Sequence, residues 1–447
     1  MAGVGGNLGD QPEIDLTAAV AAPPPVAAQT LSEYMRAWFI RVKSGDAGVL
    51  PVVAALVAVT IVFEIFSPNH VFLKPVNLIN LFDQSAVFIV LGVAEIFVLL
   101  LGEIDLSIGY VAAIGGIVAA LLVQPSTPGH MDYFHNWPWY GAIAVALLVC
   151  AGIGALQGLI ITRLRLPSFV VTLAGQMVWF GVMIIILGSA GSVSVQSGSV
   201  VPAEAVIYGI VWDFLSPEVA WIGLAVVLLL VCGSIWLRDS SRRRSGLVAP
   251  PVGLTIAKIS FLVVVGVVVV FICGLNRGTF SVISGVPWVL PLVLGVVGGA
   301  TLLLERTQFG RHMYAVGGNP EAARRAGVGV NTIRTWAFII AGVVSGLGGI
   351  IYCSSLGNIT TNINGGQYVL FAVAAAVIGG TSLMGGRGRA IHGLLGGLTI
   401  GAIYNGLYLL AFPVEYQYIA TGLVLLAAVA VDALSRRSAT SGSMARV

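Results

Sequence analysis

Charge is what this sequence lacks. Only 9% of its 447 residues are Asp, Glu, Lys or Arg, against 57% apolar residues, whereas an ordinary soluble domain carries about 25% charged residues. A water-facing surface cannot be covered with so few charges, so a soluble globular fold is excluded. Cysteine is sparse as well: Cys150, Cys232, Cys273 and Cys353 stand singly in or beside apolar stretches with no CxxC spacing. That excludes a disulfide framework and leaves reduced packing residues. The five histidines, His70, His130, His135, His312 and His392, form neither an HxxxH nor an HExxH array, so no metal site is expected. No GxxxxGK[ST] phosphate loop occurs, which leaves the chain without an identifiable means of binding ATP by itself. The net charge of +3 is scattered over short loops and makes no basic stripe, which argues against a nucleic-acid partner.

Long apolar runs are what the sequence has instead. They recur at roughly 49–66, 85–101, 108–123, 138–161, 168–188, 218–237, 256–274, 286–304, 334–353, 367–384, 390–411 and 415–434. About 20 apolar residues cross the hydrocarbon core as a helix, so the expected fold is an all-α polytopic membrane protein with about 12 transmembrane segments. The third and tenth segments are short and Gly-interrupted, which leaves open whether they are full crossings or half-helices. No cleavable signal core precedes the first run, which itself directs insertion. With the N-terminus in the cytoplasm and every segment crossing, all of the 22 Lys and Arg except Lys74 and Arg277 fall on the inner side. Retention of basic residues inside therefore supports the count and puts both termini in the cytoplasm. Residues 1–29 are rich in Ala, Gly and Pro and are expected to be disordered. The stretch 30–43 carries apolar residues at helical spacing, either a helix lying on the membrane surface or the start of the first span. The expected organisation is 1–48 as tail and surface helix, 49–434 as the membrane domain with an inner loop at 305–333, and 435–447 as a second cytoplasmic tail.

The outer loops carry Trp, Tyr, Ser and Gly, as suits an interfacial belt and a surface for a partner. The longest inner loop reads ERTQFGRHMYAVGGNPEAARRAGVGVNTIR. Within it EAARRAG, Glu321 to Gly327, is a helix-forming block with Asn319 as candidate N-cap, Pro320 at the first helical position and Gly327 as the stop.

Here the chain resembles the membrane subunits of ATP-binding-cassette sugar importers of the ribose, xylose and galactose type. The blocks that carry the resemblance come in fixed order: LGEIDLSIG at Leu101–Gly109, LPSFVVTLAG at Leu166–Gly175, TQFGRHMYAVGGNPEAARRAGV at Thr307–Val328 and VIGGTSLMGGRGR at Val377–Arg389, closed by NGLYLL and YQYIATGLVLLAAV. Within the family the chain looks most like the D-xylose permeases, because it carries an inner RRRSGLVAPP segment followed by additional apolar sequence, which the shorter ribose-type permeases lack. The resemblance implies a non-enzymatic permease of the bacterial cytoplasmic membrane, working as a homodimer by alternating access. Its implied partners are an ATPase subunit that holds ATP and Mg, and a sugar-binding protein, periplasmic or lipoprotein-anchored. No cofactor is expected in this chain. A cytoplasmic coupling helix is implied at or near Asn319–Gly327, so Gly310, Arg311, Gly317, Gly318, Asn319, Glu321, Ala322, Ala323 and Gly327 are the candidate ATPase-coupling residues. The block also looks like the EAA-xxx-G loop of other importers, without the hydrophobic-Pro continuation.

Gly102, Leu106 and Gly109 repeat the spacing of Gly379, Leu383 and Gly386, a partial internal echo of the kind that marks broken helices lining a pathway. Asp105 and Glu103 would each cost about 2.5–3.5 kcal/mol as charges at mid-helix, which leaves two readings: a pathway element, or an ordinary turn in cytoplasmic water. Candidate sugar contacts, beside Asp105, are Gln157, Thr172, Gln176, Asn358 and Asn405, since amides and hydroxyls match a pentose; each is equally suited to helix packing. Glu64 and Glu95 would be proton-relay candidates in the competing reading, an ion-coupled secondary sugar carrier of twelve spans. That reading expects a basic, Asp-containing loop between the second and third spans, where this chain has only GEIDLS.

Overall fold

The computed structural model describes Arg36, 48–124, 136–195, 202–246, 249–278, 282–413 and parts of 415–430. Apart from Arg36, the N-terminal tail and the surface-helix stretch lie outside the described residues, as does the C-terminal tail. The described chain is helical: α1 (Leu50–Phe66), α2 (Pro75–Leu99), α3 (Ile108–Val123), α4 (Trp139–Leu164), α5 (Ser168–Leu187), α6 (Pro202–Trp212), α7 (Pro217–Arg244), α8 (Val252–Gly274), α9 (Val289–Arg306), α10 (Gln308–Gly318), α11 (Pro320–Arg325), α12 (Val330–Leu356), α13 (Gly365–Ile378) and α14 (Ala390–Leu409). Eight of these, α2, α4, α5, α7, α8, α9, α12 and α14, are long and apolar enough to cross a membrane. The protein is a multi-pass helical membrane protein.

The hairpin Val227–Val264 belongs to one of two units. In the other, α2 runs through the centre, buried on every side from Ser85 to Leu99, and α12 and α14 pack along it. These helices approach at backbone distance because small residues line the seams. At Gly349 of α12, a Cβ would overlap the carbonyl of Ala112 on α3.

Two short antiparallel ribbons join loops: β1 (Ser192–Ser194) with β4 (Asn358–Thr360), and β2 (Phe214–Leu215) with β3 (Val286–Pro287). The expected outer loop after α5 thus holds a strand and the half-buried helix α6. Val211 N–H donates to Ser354 Oγ at 3.0 Å and Trp212 Nε1 to the Ser354 carbonyl at 3.0 Å, which ties α6 to α12.

The second helix starts ten residues before the expected 85, because Asn77, Asp83 and Gln84 end the apolar run without ending the helix. Asn77 Nδ2 donates to Asn405 Oδ1 at 2.9 Å, and Asn405 Nδ2 donates to Gln84 Oε1 at 3.2 Å. Polar side chains that satisfy one another need no water. All four cysteines are free thiols, with Cys150, Cys273 and Cys353 buried.

Candidate functional site

The third and tenth expected segments are α3 and α13, 16 and 14 residues long. At 1.5 Å per residue they span about 24 and 21 Å, short of a hydrocarbon core of about 30 Å. Each follows or precedes a sharp break at the same level. At the end of α2, Gly102 N–H donates to Leu99 O at 2.9 Å and Glu103 N–H to Val98 O at 3.2 Å; at the end of α13, Gly380 N–H donates to Val377 O at 2.9 Å and Thr381 N–H to Ala376 O at 2.9 Å. Both are Schellman closures, which place a residue in the left-handed region that glycine adopts without cost: φ is 72° at Gly102 and 107° at Gly380. The internal echo therefore exists, but it pairs Gly102 with Gly380 and not with Gly379. Spacing alone could not separate two adjacent glycines; the hydrogen bonds do.

The two breaks face each other. Gly386 N–H donates across to Leu100 O at 2.9 Å, and the closing turn of the second is held by Ser382 N–H to Arg387 O at 2.8 Å.

The loop 305–333 sits on this pair. Its sequence forms two helices where one was expected. Thr307 caps α10, its Oγ1 accepting from Gly310 N–H at 3.2 Å, and an apolar face with Met313 and Val316 is buried. At the far end of α10, a Cβ on Gly317 would overlap the carbonyl of Leu100 and crowd the amide of Gly386. One backbone position thus touches both breaks. Tyr314 Oη donates to Gly388 O at 2.7 Å; burial, with Glu305 nearby, raises its phenol above the ordinary value, so it stays a neutral donor. Ion pairs flank the seat, Arg389 to Glu305 at 3.6 Å and Arg334 to Glu103 at 3.1 Å.

The helix α11 forms as its sequence dictates. Asn319 Oδ1 accepts from the N–H groups of Glu321 and Ala322 at 3.1 and 3.0 Å, Pro320 opens the helix, and Gly327 leaves it with φ of 84°. Of the nine coupling candidates, Arg311, Gly318, Asn319, Glu321, Ala322 and Gly327 are exposed, whereas Gly310 and Ala323 are buried and Gly317 is half-buried against the breaks. The first six can meet another protein; the other three seat the loop on its own bundle. Replacing Asn319 with Ala is expected to remove about 1 kcal/mol of capping and to fray α11 alone, seen as faster amide hydrogen exchange at Glu321 and Ala322 with α12 unchanged.

Above the first break lies a buried polar chain. Asp105, 3% exposed, accepts from Ser107 N–H at 2.9 Å and Ser107 Oγ at 2.6 Å, and Gln157 Nε2 of α4 donates to Ser107 Oγ at 2.8 Å. Asp105 N–H donates to Glu95 Oε1 at 3.3 Å, and Thr172 Oγ1 reaches Ile104 O at 3.1 Å. The exposed-turn reading is thereby overturned, because Asp105 is enclosed and Glu103 is paired. Of the pathway candidates, Asp105, Gln157 and Thr172 meet in one cluster. Gln176 is half-buried beside Gly366. Asn405 belongs to the packing network of α2 and α14. Asn358 is exposed, on a ribbon strand opposite Ser194, and its Nδ2 donates to Leu356 O at 3.4 Å; its expected place in the bundle interior is corrected.

The residues missed are Ser107 and Trp179, and Glu95 was expected only as a proton-relay candidate of the competing reading. Glu95 Oε2, Gln157 Oε1 and Trp179 Nε1 are buried without a hydrogen-bond partner, and such atoms mark where water or a ligand hydroxyl can bind. Glu95, an acidic residue within an apolar run, offered the one sequence signal. A separate cleft of about 210 Å³, its open mouth included, is lined by Gly109, Gly348, Tyr352, Ile363 and Tyr368 among others, which is below the roughly 300–1,000 Å³ of small-molecule pockets.

A family of permease components of branched-chain amino acid transport systems matches residues 77–429, which takes in both breaks and the seated loop. The chain belongs to this permease family. Among its relatives is the xylose transport system permease protein XylH of Escherichia coli (strain K12), 30% identical over 400 residues, covering 89% of this chain and 95% of XylH. The D-allose permease AlsC of the same organism is 28% identical over 381 residues, covering 85% and 90% of the two chains. Its ribose import permease RbsC is 29% identical over 399 residues, covering 89% and 95%. The resemblance to sugar-importer permeases holds, and a xylose permease is among the relatives. No solved structure matches the chain.

Proposed function

We propose that this permease is the membrane subunit of an ATP-binding-cassette importer for a monosaccharide, with D-xylose as the leading cargo. The observation that carries this reading is the near-full-length likeness to XylH, AlsC and RbsC, combined with a polar inner loop whose exposed face is free to meet another subunit. The cluster of Asp105, Ser107, Gln157 and Thr172 favours a sugar over an amino acid. It offers amide, hydroxyl and carboxylate groups suited to sugar hydroxyls.

A separate ATPase subunit holds ATP and Mg and docks on α11; an extracytoplasmic binding protein delivers the sugar to the outer loops; two copies of the chain form the pathway. The protein resides in the bacterial cytoplasmic membrane with twelve segments and both termini inside, as the basic residues argue. Closure of the ATPase pair moves α11 and α10. Because Gly317 rests on both breaks, the two broken helices shift together, which switches access from one side to the other.

Reconstitution tests this reading. Proteoliposomes with the chain, its ATPase and its binding protein are expected to accumulate labelled xylose only when ATP is inside the ATPase compartment. Accumulation by the chain alone that follows a pH gradient would replace the reading with an ion-coupled carrier. Accumulation of leucine and not of xylose, ribose or galactose would move the cargo to amino acids.

A further inference from the structure

The hairpin Val227–Val264 carries chemistry that transport does not use. Its helices are almost bare: 6% of the apolar window of α7 and 11% of that of α8 are buried, and Leu229, Leu230, Leu237 and Phe261 are all at least 67% exposed. Apolar side chains so exposed on a membrane helix are covered by lipid tails. Where the apolar surface ends, the sequence turns sharply cationic. Arg238, Arg242, Arg243 and Arg244 on α7 and Lys258 on α8 stand against one acid, Asp239.

That acid is already engaged. Asp239 accepts from Thr255 Oγ1 at 3.0 Å and from Arg238 Nε at 3.2 Å. Arg243 is engaged too, donating to Pro250 O at 3.1 and 3.2 Å and to Thr255 Oγ1 at 2.5 Å. Asp239, Arg243 and Thr255 thus clamp the hairpin tip. Arg242 and Arg244 are left exposed with no carboxylate in ion-pair range among the described residues, while Lys258, also exposed, acts on Asp239 from beyond ion-pair distance. Arg238 and Arg242 share a helix face at i, i+4, and Lys258 follows Thr255 by one turn, so cations from both helices gather at the clamped end.

We propose that this tip is a binding site for the phosphate of anionic phospholipids. Guanidinium forks match phosphate oxygens bidentately. A basic cluster at the end of a lipid-covered helix sits at headgroup depth, where the negative potential of the inner leaflet attracts it. The site is built on the hairpin alone and does not depend on the cargo or on the ATPase reading.

Trp236, 44% exposed and two residues before Arg238, reports on the site. The full-length protein in nanodiscs is compared with a Trp236→Phe variant, so that the difference isolates this indole. Brominated phosphatidylglycerol is expected to quench that component at lower mole fraction than brominated phosphatidylcholine. In Arg242→Gln/Arg244→Gln the preference should fall by roughly 25-fold, at about fivefold per removed charge, while Arg242→Lys/Arg244→Lys keeps the part that charge supplies and loses the part that the guanidinium forks supply. The clamp residues are untouched in both variants, and far-UV circular dichroism checks the fold. Equal quenching by the two lipids in the unaltered protein, or an undiminished preference in the Gln variant, overturns the site. So does loss of the preference on adding inorganic phosphate, which would make a free anion the occupant.

Discussion

Replacing Gly317 with Ala is expected to cut sugar-stimulated ATP hydrolysis and uptake about tenfold while leaving the protein folded in the membrane. The reasoning is steric. The added Cβ meets the Leu100 carbonyl and the Gly386 amide, both main-chain atoms, and neither can rotate away as a side chain would. Overpacking of this kind costs about 1–3 kcal/mol, a factor of about 5–150 in the population of the seated state. The loop shifts off the breaks while the bundle stays intact, because α10 packs on α9, α11 and α12 and lies outside the centre built by α2, α12 and α14. Gly152→Ala is the control, since a Cβ there meets nothing within 4 Å, and it should behave as the unaltered protein. Equal coupling in the two variants would show that α10 does not transmit motion through this contact.

The second large effect is expected at Asp105. An Asp105→Ala change leaves the N–H and Oγ–H of Ser107 without their acceptor in a buried site, at about 1–3 kcal/mol for each orphaned group. Gln157 then loses a fixed partner as well, since Ser107 Oγ is free to turn. The start of α3 loosens and the polar cluster opens, so both the thermal midpoint in detergent and the rate of uptake should fall. Asp105→Asn keeps one carbonyl acceptor and should lie between the two. A midpoint and an uptake rate unchanged in Asp105→Ala would remove this network from both stability and transport.

Much of this was legible from residues alone because it is local. Asn319, Pro320 and Gly327 set the boundaries of α11 through capping and left-handed backbone, and those rules need no tertiary information. The apolar runs announced α3, α4, α5, α8 and α12 within a few residues. What depended on distant partners was not legible. Asn77, Asp83 and Gln84 lie before the expected start of the second run at 85, yet two of them share a network with Asn405, which lies more than 300 positions along the chain. Asn358 follows the apolar run at 334–353 within a stretch that also holds Ser354, Ser355, Thr360, Thr361, Asn362 and Asn364, and that polar setting was the signal of a position outside the bundle. The helix α10 was hidden because its cap, Thr307, is followed by glycines and a His that dilute the helical pattern. Its reason for existing, the seat on Leu100 and Gly386, lies in two other segments.

The seat on both breaks is the element on which coupling depends, and its motion can be measured. Spin labels at Ala322, exposed on α11, and at Met384, 75% exposed on the second break, report whether loop and break move as one body. A third label at the exposed Trp137 gives a fixed reference. Pulsed electron paramagnetic resonance on the complex, with and without ATP, should show the Ala322–Met384 distance unchanged while both distances to position 137 shift together. A change in the Ala322–Met384 distance with the break stationary would contradict it.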